Sequence, residues 1–138
     1  MAVNTVTGNM CRDILAEARE AASAAFKSCR PTPMVVGQAR GLFGNEIVPG
    51  TEEVVEDGVC GFAWVKIRPA RGPFVKFLKA RDLGRKDDYE GGYYLSSHDV
   101  LPFRDFTQSM ERKYAACSAF AGVLSSYGLD AYAMSRMD

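Results

Sequence analysis

One histidine, four cysteines and an acidic run are the residues here whose chemistry could go beyond packing. His98 stands between Ser97 and Asp99, residue types that cap helices. As a general base it needs a nucleophile within hydrogen-bond reach, so an enzyme would require a pocket bringing it beside a cysteine or a carboxylate. Cys11, Cys29, Cys60 and Cys117 form no C-x-x-C clip, and one histidine does not complete the usual zinc sets. Cys11 and Cys29 fall on one predicted helix, about 27 Å apart along its axis and too far to bridge. All four cysteines are expected to be small buried hydrophobes in a reducing compartment. Glu52, Glu53, Glu56 and Asp57 read as a solvated loop or edge strand, since a metal site wants carboxylates converging from separate elements. Gly37, Gly41 and Gly44 match neither a Walker loop nor GxGxxG, and they precede no helix, so a phosphate cradle is not expected. No GxSxG elbow and no HExxH occurs. The expectation is a chain that is not an enzyme, with no catalytic residue, metal or cofactor.

The chain of 138 residues is most simply one domain, 1–138, with 1–8 as a flexible lead-in. Lys+Arg and Asp+Glu are both 17, a formal net charge of zero. A dedicated nucleic-acid binder usually carries a basic excess, so that class loses ground. Neutrality also leaves self-association unopposed. The start, MAVNTVTGNM, has no basic region followed by an apolar run, so no signal peptide is expected. No apolar segment approaches ~20 residues, so no membrane span or membrane partner is expected. The expected setting is a cytoplasm, or a particle assembled in one.

Around these residues the chain reads as helix, strands, helix, strand. Cys11, Ile14, Leu15, Ala18, Ala22, Ala25, Phe26 and Cys29 form the stripe of an amphipathic helix capped at Asn9 and ended by Arg30–Pro31. Pro33–Gly37 is a short extended piece, followed by a turn and a short strand near Glu46–Val48. Val59–Pro69 is the strongest strand, the one the rest should pack around. Phe74–Ala80 alternates well enough for a strand pairing with it, although a short helix beginning at Pro73 fits almost as well. Arg81–Gly92 is the most polar stretch and reads as an exposed loop. Tyr93–Ser96 is a strand. Phe103–Tyr127 is the second helix, with the stripe Phe103, Phe106, Met110, Tyr114, Cys117, Phe120, Ala121 and Leu124, closed by Gly128. Leu129–Met134 returns as a final strand. The predicted fold is α+β: a mostly antiparallel sheet of four to five strands with two long helices packed on one face.

Along Val59–Pro69, Phe62, Trp64, Lys66 and Arg68 share one face, apolar at its start and basic at its end. That face is expected to pass from buried to contact surface along its length. Aromatics beside arginines are enriched at interfaces. The candidate interface is Phe62, Trp64, Lys66, Arg68, Arg71, Arg85 and Lys86. The alternative is a small nucleic-acid module stacking bases on the same aromatic and basic face, with Lys76 and Lys79 added.

The order of elements from Asn9 to Met134 resembles the small α+β proteins of tailed-phage necks and tails, with the tail terminator (tail completion) family as the nearest match. The resemblance rests on element order and on no local motif. It implies a structural virion protein, assembled in the host cytoplasm, that forms a homo-oligomeric ring, usually hexameric, at the head–tail junction. It also implies other neck or tail proteins as partners. Gly37–Gly58 and Arg81–Gly92 would then be the contact segments between subunits.

Overall fold

A computed structural model describes residues 8–37 and 47–138. The first helix, α1 (Gly8–Ser28), buries Cys11, Ile14, Leu15, Ala18, Ala22 and Phe26, the spacing of a single helical stripe. Alanine at two of those positions lets a second helix approach closely. That helix is α4 (Met110–Ser126), whose Ala116, Cys117, Phe120, Ala121 and Leu124 are buried.

Two short strands, β1 (Met34–Val36) and β2 (Glu53–Val55), form an antiparallel ribbon with Val35 opposite Val54. The expected strand near Glu46–Val48 falls partly outside the described residues; Ile47 makes an isolated bridge. The main sheet has four strands in the order β4 (Arg85–Lys86), β5 (Tyr93–Ser96), β3 (Gly61–Arg68) and β6 (Asp130–Met137), all antiparallel. β3 is central, paired with β5 on one edge and β6 on the other. Its odd-numbered residues Ala63, Val65 and Ile67 are buried and join Tyr93 and Leu95 of β5 in the core. α4 lies over β3 and β6, and α1 runs along α4 and reaches two short helices, α2 (Pro73–Ala80) and α3 (Ser97–Val100). The fold is α+β, with its helices against one face of the sheet and the other face left open.

Two expectations are corrected. Phe74–Ala80 is helix α2, not a strand paired with β3. Pro73 sits at its start, where a missing N–H costs nothing, and Phe74, Val75 and Leu78 are buried at helical spacing. The second long helix starts at Met110 rather than Phe103. Asp105 Oδ1 accepts from Thr107 N at 2.8 Å and from Thr107 Oγ1 at 2.7 Å, Gln108 takes φ 58, and Ser109 caps the helix by accepting from Arg112 N. Phe106 is therefore exposed, and Tyr114 of the expected stripe is exposed as well, with Lys113 and Ala116 buried instead. The far end of α4 closes as foreseen at Gly128 (φ 87), with Leu129 N donating to Leu124 O and Gly128 N to Ser125 O.

Candidate functional site

The open face of the sheet is built from the even-numbered residues of β3 and their cross-strand neighbours. Phe62 faces Arg136, Trp64 faces Met134 and Ser96, Lys66 faces Tyr132 and Tyr94, and Arg68 faces Asp130. Trp64 and Tyr94 stack with ring centroids 5.7 Å apart, and Arg85 lies over the Tyr94 ring at 5.1 Å. Burial pushes the Tyr94 phenol up. Arg136 lies over Phe62 at 5.6 Å.

The expected passage from buried to exposed along this face is not what the structure has: the minimum of exposure falls at Lys66, and Arg68 beyond it is half-buried. Phe62 is 45% exposed and Trp64 half-buried, whereas Lys66 is buried. The cause is the loop from Asp87 to Gly92, which folds back across the basic end. Lys66 Nζ pairs with Asp87 Oδ2 and donates to Gly91 O at 2.9 Å. Arg68 donates to Tyr132 Oη at 2.9 Å and to Glu90 O at 3.0 Å. Gly92 (φ 81) makes the close approach possible, since a Cβ there would meet Lys66 Cδ at 2.7 Å. The Asp87 carboxyl is pulled down to about 2, first by its hydrogen bond from Lys66 and then by the Glu90 and Tyr89 N–H groups. A cleft of about 420 Å³ remains beside the loop, lined in part by Trp64, Tyr94, Met134 and Arg136.

Phe62, Trp64, Arg68 and Arg85 thus come together, and Lys66 joins them only as a buried strut. Lys86 is exposed on the β4 edge, and Arg71 is exposed in the turn beyond the end of β3. Lys76 and Lys79 lie on α2, away from this face; Lys79 sits over Tyr93, which points into the core. Sequence reasoning missed Tyr94, Tyr132, Met134 and Arg136. The alternation in Tyr93–Ser96 and Leu129–Met134 carried part of that signal, but only the register aligns these residues with Trp64.

The β1–β2 ribbon is a second surface. Its base is fastened to the helices: Thr32 N donates to Glu111 Oε2 at 3.0 Å, and Arg112 Nε pairs with Asp57 Oδ1 at 3.2 Å. Arg112 Nη1 also donates to Cys29 O at 3.2 Å near the end of α1. Beyond that base, Val35 is 52% and Val54 55% exposed.

His98 is exposed and lines a cavity of about 370 Å³ at the end of β3. Lys113, Asp105, Gln108 and Asp138 line the same cavity, which therefore holds His98 and two carboxylates. No hydroxyl or thiol is among its lining groups. Lys113 Nζ donates to Gly61 O at 3.2 Å, and Asp105 Oδ2 is buried without a hydrogen-bond partner. Cys11 and Cys117 are buried as expected, and burial pushes the Cys117 thiol up to about 12. Cys29 is half-buried and Cys60 exposed, which corrects the expectation of four buried cysteines. Among the described residues no three His, Cys, Asp or Glu side chains are grouped to hold a metal ion. No helix among them is long and apolar enough to cross a membrane.

These elements define an α+β protein with one open sheet face and a projecting ribbon. No family profile, curated protein or solved structure matches this chain.

Proposed function

We propose that this chain is a non-enzymatic structural protein that works by packing against copies of itself and a few protein partners. Its particular form is a ring-forming tail terminator or neck component at the head–tail junction of a tailed-phage virion. The observation that carries the assembly role is the Val35–Val54 pair, opposite one another on a two-stranded ribbon and each more than half exposed. A lone two-stranded ribbon is marginal in water, and exposed apolar ribbon surface favours cover by another subunit. The open aromatic face around Phe62, Trp64 and Tyr94 offers further contact area. The phage setting is supported by the order of elements alone.

The test is sedimentation velocity and electron microscopy of the purified chain, alone and with phage neck or tail-tube proteins. Rings that are lost in a Val35→Asp, Val54→Asp variant support the role. A chain that stays monomeric in both settings overturns it.

The nucleic-acid alternative retains Phe62, Trp64 and Arg68 but loses ground with Lys66 paired to Asp87 and with Lys76 and Lys79 on α2. It predicts salt-sensitive binding of single strands reported by Trp64 fluorescence.

A further inference from the structure

β6 is eight residues long, and no strand among the described residues lies along its outer edge. The opposite edge, β4, is two residues long and both are basic, a usual protection against stray pairing. β6 lacks that protection: Asp130–Met137 contains no proline and a single basic residue. Its backbone groups alternate in direction. Asp138 N donates to Cys60 O at 3.1 Å, on the β3 side. The even-numbered residues of β6 therefore turn their N–H and C=O groups toward β3, and Ala131, Ala133, Ser135 and Met137 turn theirs outward. The Ala131 carbonyl agrees, since it accepts from the Ser125 hydroxyl at 3.2 Å.

We propose that this edge is the docking site for a second copy of the chain, β6 against β6, antiparallel about a two-fold axis through Ala133. A two-fold axis normal to the sheet keeps both open faces on the same side, so residues in register must both be even or both be odd. Centring on Ala133 satisfies this rule and lets the two Ala133 residues exchange both backbone hydrogen bonds. Asp130 then stands opposite the second copy's Arg136, and Arg136 opposite its Asp130. Tyr132 stands opposite Met134 in the same way. The neighbouring register centred on Met134 would instead oppose Asp130 with Asp138. The register centred on Tyr132 would leave Asp130 opposite Met134. Charge complementarity therefore selects Ala133 as the centre. The product is a continuous eight-stranded sheet, four strands from each copy, with both aromatic faces on one side. The pairing goes beyond the ring and does not rest on it.

The test is the mass of the full chain in solution, by sedimentation velocity and native mass spectrometry. The wild type forms a dimer. Ala133→Pro removes an outward N–H that β3 does not use and abolishes the β6 pairing, halving the mass of whatever assembly that pairing joins. Arg136→Asp sets Asp against Asp130 on both sides of the axis and weakens association by roughly tenfold. Asp130→Arg combined with Arg136→Asp restores it. Because a proline can disturb folding, amide exchange on the wild type is the second measurement. Ala133 and Ser135 become protected as dimer forms, whereas Tyr132 and Met134 are protected throughout. A monomeric wild type overturns the proposal, whether its edge amides exchange freely or are covered by another part of the chain. A dimer or ring indifferent to both Ala133→Pro and Arg136→Asp overturns it too, as does a charge swap that fails to restore pairing. Loss of rings in the Val35, Val54 variant with the dimer intact separates this contact from the ribbon's.

Discussion

Lys66 is the side chain whose removal and whose abandonment should differ most. It is 1% exposed, and its ammonium rests on Asp87 Oδ2 and Gly91 O. Asp87→Ala deletes the counter-ion and leaves a buried cation with one carbonyl, a situation that costs about 3 kcal/mol. Lys66→Met keeps most of the aliphatic stem in place and frees Asp87, which is near the surface, so its cost is about 1 kcal/mol or less. For a chain of this size the first change lowers the melting temperature by about 10 °C and the second by a few degrees. The double variant leaves no stranded charge, so it recovers most of the loss and falls short of Lys66→Met only by the Asp87 bonds from Tyr89 N and Glu90 N, about 1 kcal/mol. The pH dependence follows from the depressed Asp87 carboxyl. A group held below its unfolded pKa adds stability above that pKa and loses it as pH falls through the folded value. Asp87 starts from 3.8 and is held at about 2, so its contribution fades as pH falls between those values. Asp87→Ala lacks that part of the acid transition. Thermal melts of the four proteins between neutral and acid pH are the assay. An Asp87→Ala variant no less stable than Lys66→Met would refute the reasoning.

Three further outcomes are expected. In the native protein Cys60 reacts with a thiol reagent at mildly alkaline pH, while Cys117, with its thiol pushed up to about 12, reacts only after unfolding; peptide mapping of the labelled protein reads this. Gly61→Ala forces a Cβ to within 2.6 Å of the Arg136 carbonyl and 3.0 Å of Met110 Cβ, and the resulting separation of β3 from β6 costs about 2 kcal/mol in denaturant unfolding. Asp105→Asn keeps the acceptor used by Thr107 and exchanges the buried, unpartnered carboxylate oxygen for an equally unpartnered NH2 while removing the charge, so unfolding shows it within about 1 kcal/mol of the wild type.

The parts of the fold that could be read in advance are those written in one period. α1 declares itself from Cys11 to Phe26, and β3 from Gly61 to Arg68, because each segment repeats a single spacing long enough to exclude the other. Phe74–Ala80 is too short for that: Phe74 and Leu78 suit either period, and Pro73 at the first helical turn decides. The early start given to the second long helix came from Phe103 and Phe106, which continue its spacing, whereas the Asp105–Thr107 turn and the Ser109 cap stop it locally. Lys66 shows what one strand cannot reveal. Its burial depends on Asp87, 21 residues further on, folding back on two glycines. Trp64 against Tyr94, and Val35 against Val54, are likewise products of register between segments, which no single segment encodes.

The assembly claim is tested most directly by the mass of the purified chain in solution across concentration, measured on the wild type and on the Val35→Asp, Val54→Asp variant. The account predicts closed assemblies larger than a dimer for the wild type, in the presence of neck or tail-tube proteins if not alone, and their loss in the variant. A wild type that sediments as a single chain in every mixture would contradict it.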